Sequence, residues 1–326
     1  MDPGALLDAA EARLRWPRLV SAEERWVEAT EDVIERVGRA ERPLVLAGPG
    51  VVADGAIAGL QALAAAADLG VVNTWGAKGV FDWRSRHHLA TVGLQANDAE
   101  LAGAHDCDLL ICTGVDAGEA DPALWRRAPA IDIPTGMLGP LAEAWWRRRH
   151  GITMPPLRDR LASVTQEGWA ATGTPIMPSQ VTRMYGEIVA TGGTVAADPG
   201  VAGYWVARTL GTTRPGAVHV PAEADAAGFA VACAIVARRL RPDAPALAVV
   251  DELTPEAQAL LDLGEPVAVE VWADDGDALD VDAHRERVLS LVPQGGVVRL
   301  TTRPDQLAAM VEAAGPVTAW EGLVTG

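Results

Sequence analysis

Apolar residues recur along this chain in two alternating rhythms, short continuous runs of four or five and longer stretches with helical spacing. Residues 5–40 are helical in pattern. Leu6, Ala9, Leu14, Val27, Val33, Ile34 and Val37 give the apolar spacing, a break falls near Pro17, and Glu24 to Arg39 is the better amphipathic helix. Strands are then predicted at Leu44–Ala47, Val71–Thr74, Leu109–Thr113 and Ala130–Ile133, with helices at Ala56–Ala67 and around Ala96–Ala104 between them. From Gly151 to Pro178 the pattern loosens into a Pro- and Gly-rich linker with one short helix. A second alternation follows. Helices at Ser179–Ala190, Gly200–Leu210, Ala224–Leu240, Pro255–Leu263, Ala283–Leu289 and Pro304–Ala314 alternate with strands at Thr194–Ala197, Leu247–Val250, Val267–Trp272, Val297–Leu300 and Val317–Trp320. Strands alternating with helices predict an α/β fold with two doubly wound, mainly parallel sheets. The expected division is a helical segment (1–40), a first α/β domain (41–150), a linker (151–178) and a second α/β domain (179–326).

Composition narrows the classes of partner. At 326 residues and 49% hydrophobic, the chain can bury two cores, yet no apolar run approaches the roughly 18 residues that span a bilayer. The opening Met1-Asp2-Pro3-Gly4 has no apolar core of a secretory signal, so a cytoplasmic, membrane-free protein is expected. A net charge of -17 argues against nucleic acid, which requires clustered Lys and Arg. The densest basic run, Arg147-Arg148-Arg149-His150 after Trp145-Trp146, is read as a solvated helix end, and the tryptophans as packing. Cys107, Cys112 and Cys233 lack metal-ligand spacing and sit in apolar surroundings, as buried thiols do. Lys78 is the single lysine.

A first segment carries Arg42 to Val51, then Gly76-Ala77-Lys78-Gly79, Gly93-Leu94-Gln95-Ala96-Asn97, Cys107 to Gly114 and Ala130 to Ile133. A second carries Asp198-Pro199-Gly200, Tyr204 to Arg208, Gly228 to Ala237, Ala246 to Val250 and Gly295 to Val317. Taken in order, these motifs resemble the central and last domains of thiamine-diphosphate (thiamine pyrophosphate) enzymes of the acetolactate synthase type. The family's first third, the pyrimidine-binding domain with its activating glutamate, has no counterpart among these motifs.

The resemblance implies a place for the cofactor and also where that place has changed. Gly228 and Asp251 fall at diphosphate-binding positions, and Asp251 with Asp274 at the positions of the Mg²⁺ ligands. However, the family's "GDG" turn here reads Val250-Asp251-Glu252-Leu253, and its asparagine position reads Asp274-Asp275. Glu252 replaces a glycine that lets backbone approach phosphate. Like charges at ~4 Å cost roughly 1–4 kcal/mol according to screening. Thiamine diphosphate with Mg²⁺ is therefore expected only with a partner chain, if at all.

In the central domain Gly48 and Gly50 form either a nucleotide-binding turn for FAD or an ADP moiety, or a plain tight turn, since Pro49 removes one N–H. Lys78 either meets a phosphate or caps its loop. The acidic run Asp274 to Asp282 is read as a solvated loop, because EF-hand spacing is missing. His105-Asp106-Cys107 and His87-His88 are not read as sites, since sequence neighbours point apart and no paired ligand motif is present. The expected role is a non-catalytic accessory or scaffold homologue. The alternatives are one subunit of a split 2-keto-acid decarboxylase or carboligase, completed by a separate pyrimidine-binding chain, and a nucleotide-binding module. A homodimer or that second chain is the expected partner.

Overall fold

The computed structural model describes residues 2–14 and 26–324; Pro17 and Glu24, where the sequence suggested a helix break and a helix start, lie outside the described residues. Helices α1 (Pro3–Leu14) and α2 (Trp26–Arg39) lead into the first α/β unit. That unit runs β1 (Pro43–Ala47), α3 (Gly50–Ala53), α4 (Ile57–Ala67), β2 (Val71–Thr74), β3 (His88–Val92), α5 (Asp98–Leu101), β4 (Leu109–Thr113), α6 (Pro122–Trp125), β5 (Ala130–Asp132) and α7 (Leu138–Glu143). After α8 (Pro156–Ala170) come α9 (Pro178–Ala190), β6 (Thr194–Ala197), α10 (Val201–Thr209), β7 (Val218–His219), α11 (Phe229–Leu240) and β8 (Ala246–Val250). The chain continues through α12 (Pro255–Leu261), β9 (Ala268–Ala278), α13 (Val281–Gln294), β10 (Gly296–Thr301) and α14 (Asp305–Ala314).

Both sheets are five-stranded and wholly parallel, ordered β3-β2-β1-β4-β5 and β10-β9-β8-β6-β7. Alternation places successive side chains of β1 on opposite faces. Val45 and Ala47 join Leu60 and Leu63 of α4, while Leu44 and Leu46 pack on Val72, Leu110 and Leu157. In the second sheet α9, α10 and α13 cover one face, and α1, α11 and α12 the other. Thus α1, the first helix of the chain, packs on the last α/β unit: Leu6 and Ala10 are buried against α11.

The segment Gly93–Asn97 joins the two units. The Tyr204 hydroxyl donates to Gln95 Oε1 at 2.8 Å, and Gln95 Nε2 donates to the Met310 and Gly315 carbonyls. Arg208 of α10 forms a two-pronged, fully buried ion pair with Asp98 (2.8 and 2.9 Å) and also donates to the Thr91 carbonyl. Trp75 meets Trp320 edge to face at 5.4 Å.

Several expectations need correction. No strand forms at Val317–Trp320. Val317 makes a single antiparallel bridge to Gln95, because the segment is used to hold the other unit. The helix of the 151–178 stretch is 15 residues long, and α8 packs on α14, α9, α5 and β3. His88 opens a strand, β3, hidden in the sequence by the polar run before it. The acidic run from Asp274 to Ala278 is the end of β9, paired with β10. Arg147 to His150 do not end a helix, since α7 stops at Glu143. Arg147 pairs with Glu35 at 2.9 Å, and Arg148 donates to the Ala40 carbonyl, tying this segment to α2.

Candidate functional site

In a doubly wound sheet the ligand crevice lies where the strand order reverses, beyond the carboxyl ends of the two strands concerned. In the second sheet that point lies between β6 and β8. Two helices, α10 and α11, begin beside it. Helix N-termini carry unsatisfied N–H groups and suit anions. Here each finds a carboxylate from this chain. Asp251, at the end of β8, accepts from Val201 N (2.6 Å) and Ala202 N (2.8 Å) at the start of α10. Asp198, at the end of β6, accepts from Gly228 N and Ala230 N at the start of α11, both at 2.6 Å. Gly200 makes the first contact possible: it sits at φ +142°, and a Cβ there would lie 2.1 Å from Asp251 Oδ2. Burial raises both carboxyls, Asp198 to about 6.

The other expected residues are placed as follows. Gly228 caps α11 in the left-handed region, with Leu6 of α1 against it (3.4 Å from a Cβ built there). Glu252 is exposed. Asp275 pairs with Arg299 across β9 and β10, and Asp274 precedes it in the same strand. Among the described residues no group of three or more His, Cys, Asp or Glu side chains is arranged to hold a metal ion.

In the first sheet the reversal lies between β1 and β4. Gly48 and Gly50 follow β1 and interlock with the loop after β4. Gly48 N donates to the Thr113 carbonyl and Gly50 N to the Gly114 carbonyl. A Cβ on Gly48 would lie 2.4 Å from Gly114 O, and one on Gly50 2.8 Å from Gly114 Cα. Both glycines are thus required by loop-to-loop contact. Next to them, a crevice of 320 Å³ at the ends of β4 and β5 is walled by the Arg126–Asp132 ion pair and by Thr113, whose buried hydroxyl has no partner.

Between the units lies a much larger cavity, about 1090 Å³, lined by α1, by the turn after β1, by Gly76 and Lys78, and by the segment from Gly216 to Phe229. Burial pushes the Lys78 ammonium down to about 7, with the like charge of Arg208 adding to the effect. His219 is also driven down, to about 4, first by burial and then by Arg13, and it remains neutral.

Sequence reasoning missed a buried carboxylate that lies behind the wall of this cavity. Glu119, in the loop after β4, has no exposed side-chain surface. Its Oε2 accepts from Gly76 N at 3.0 Å; its Oε1 has no hydrogen-bond partner and lies 3.7 Å from Arg13 Nη2. Burial raises the carboxyl to about 7, against the opposing pull of the Thr74 hydroxyl, the Gly76 N–H and Arg13. The Thr74 hydroxyl acts through proximity, since it too lacks a partner in hydrogen-bonding geometry. Nothing in the sequence around Gly118-Glu119-Ala120 marks this residue, because its partners lie about 40 and 106 positions away.

A comparison with known families fits the first unit. Residues 30–133 match the thiamine pyrophosphate enzyme central domain. The match covers most of α2 and the whole first sheet, about a third of the chain, and supports kinship with thiamine pyrophosphate enzymes over that part. No curated protein matches the chain. The central-domain unit therefore contributes Pro49, Gly50, Gly76 and Lys78 to the space between the units, with Glu119 buried behind them. None of its helices, nor any other among the described residues, is long and apolar enough to cross a membrane.

Proposed function

We propose that this chain is a non-catalytic accessory or scaffold relative of the acetolactate synthase-type thiamine-diphosphate enzymes, and that its second unit corresponds to a diphosphate-binding domain that no longer holds the cofactor. One observation carries this reading: the N–H groups that would grip a diphosphate, at the starts of α10 and α11, are bonded to Asp251 and Asp198. A metal-bound diphosphate would have to displace both carboxylates from their donors and then remain beside them. Each like-charge contact at ~4 Å that no cation bridges would oppose it by roughly 1–4 kcal/mol, and among the described residues no group of three or more His, Cys, Asp or Glu is arranged to seat that cation. These residues do not fit thiamine diphosphate with Mg²⁺, and no reaction step is derived through it.

Calorimetry of the full chain with thiamine diphosphate and Mg²⁺ tests the reading. No binding in the micromolar range is expected. Micromolar binding by the chain alone would overturn the proposal. Binding that arises only with a separate pyrimidine-binding chain would favour the split-enzyme alternative. The nucleotide alternative is tested by the absorbance of the purified protein, where a flavin spectrum would support it. It has less behind it, since Gly48 and Gly50 are already required by the loop after β4.

A further inference from the structure

The cavity between the two units reaches the start of α11 but takes in neither Asp198 nor Asp251. We propose that it is a binding site for a small organic cation, an amine or amidine carried on an apolar or aromatic body, with the Glu119 carboxylate as counter-charge.

The first support is the carboxylate itself. Glu119 is enclosed, uses one oxygen on Gly76 N, and leaves the other without a hydrogen bond. Glu119 is not itself part of the cavity wall: its free oxygen lies behind Gly76 and Arg13, which are, so a ligand reaches it only where the Arg13 guanidinium now stands. A buried acceptor without a donor is costly, and a ligand N–H that reaches it regains that cost.

The second support is what stands there now. Arg13 of α1 puts its guanidinium 3.7 Å from the free oxygen and 5.6 Å from the centre of the Phe229 ring. The chain's own side chain thus sits as a cation between a carboxylate and an aromatic face, the two features that recognise organic cations. Its distance is too long for a hydrogen bond, so a smaller cation that takes the place of the Arg13 guanidinium would bind the same pair more closely.

The third support is the surrounding charge. Asp54, Asp116, Glu223 and Asp225 line the cavity and are exposed, while His219 is neutral and the charge of Lys78 lies by Arg208. An acidic rim on a chain of net charge -17 concentrates cations and repels phosphates. At about 1090 Å³, with Leu6, Val52, Val218 and Phe229 in its walls, the space takes an apolar body of cofactor size.

Calorimetry of the full chain at pH 8 with benzamidine, benzamide and benzoate tests the proposal without any variant. Benzamidine is expected to bind one to one and at least about tenfold more tightly than its neutral and anionic isosteres, the difference one charge-assisted hydrogen bond makes. Glu119→Gln should erase that preference. Arg13→Met, which removes the internal competitor and keeps an apolar stem on α1, should tighten benzamidine binding. Affinity should fall as pH drops through about 7, where Glu119 protonates. The groups facing Glu119 are Arg13 from α1, Asp116 from its own loop, and Thr74 and Gly76 at the end of β2. Benzoate binding as tightly as benzamidine, no heat from any of the three at millimolar concentration, or an unchanged preference in Glu119→Gln would each overturn the proposal.

Discussion

Replacing Glu119 with glutamine separates the charge of this buried side chain from its shape. In the folded chain the carboxyl is held at about 7 against an ordinary 4.5, so the native state binds its proton more tightly than the unfolded chain does. The sign follows directly. Below about pH 4.5 both states are protonated and the charge costs nothing. Between 4.5 and 7 the native state retains a proton that the unfolded chain has released, so stability falls as pH rises. Above 7 the full penalty applies, roughly 3 kcal/mol at 1.36 kcal/mol per unit. Glutamine keeps the acceptor for Gly76 N but places an amide NH₂ beside Arg13, with only the nearby Thr74 hydroxyl, out of hydrogen-bonding alignment, to receive it; that loss is about 1–2 kcal/mol. Glu119→Gln should therefore stabilise the protein by about 1–2 kcal/mol at pH 8 and destabilise it slightly at pH 4.5 to 5. Denaturant midpoints for both proteins at pH 5 and pH 8, followed by tryptophan fluorescence and far-ultraviolet dichroism, measure this. A difference independent of pH, or a variant weaker at pH 8, would refute the assignment of a buried, uncompensated charge.

Four other outcomes follow from interactions at named places. His284 and Glu270 are fully buried partners at 2.8 Å, and Tyr185 and Trp272 donate to the same carboxylate. His284→Leu should cost about 3–5 kcal/mol by leaving the buried Glu270 Oε2 without its partner, read as a lowered denaturation midpoint. Arg208→Met should cost a similar amount, about 3–5 kcal/mol, and should make the two units' unfolding transitions separate by calorimetry, because Asp98 is then left buried at their junction. Asp251→Ala should cost about 0.5–2 kcal/mol as a lost cap and raise amide exchange at Val201 and Ala202. Leu6→Ala should cost about 2–5 kcal/mol and expose α1 to proteolysis before the rest of the chain.

The strand–helix alternation was legible in the sequence because most parallel strands here are buried on both faces and read as plain apolar runs: Leu44–Ala47, Leu109–Thr113 and Leu247–Val250 all became strands. β3 and β7 were not legible. One begins at a histidine and the other is two residues long, and both form because a neighbouring strand pairs with them. The loops were read less well still. Gly48 and Gly50 suited either a nucleotide-binding turn or a plain tight turn, and only the fold shows that the loop after β4 comes within contact of both. Asp251 was visible as a cofactor-position residue, but its bond partners, fifty residues earlier, were not. Glu119, Arg13 and Phe229 come from three distant parts of the chain, so their grouping is a property of the topology alone.

The acidic character of the crevice in the second sheet has a structural cause. Every helix that starts beside a strand end brings N–H groups that need acceptors, whether from a ligand, from water or from the chain. In a chain that does not hold a diphosphate, the donors of α10 and α11 would be left bare at a buried junction. Asp198 and Asp251 supply the missing acceptors, and Gly200 provides the clearance for one of them. On the reading proposed above, carboxylates in this position stabilise the free fold by the same contacts that would oppose the cofactor. The same requirement is unmet at Glu119, where an oxygen stands without a donor next to an open cavity and a cation slightly too far away. A crevice whose donors are satisfied from within favours no ligand. A cavity with an unsatisfied acceptor favours one that can donate, and that contrast places the binding capacity of this chain between its two units, not at the end of its second sheet.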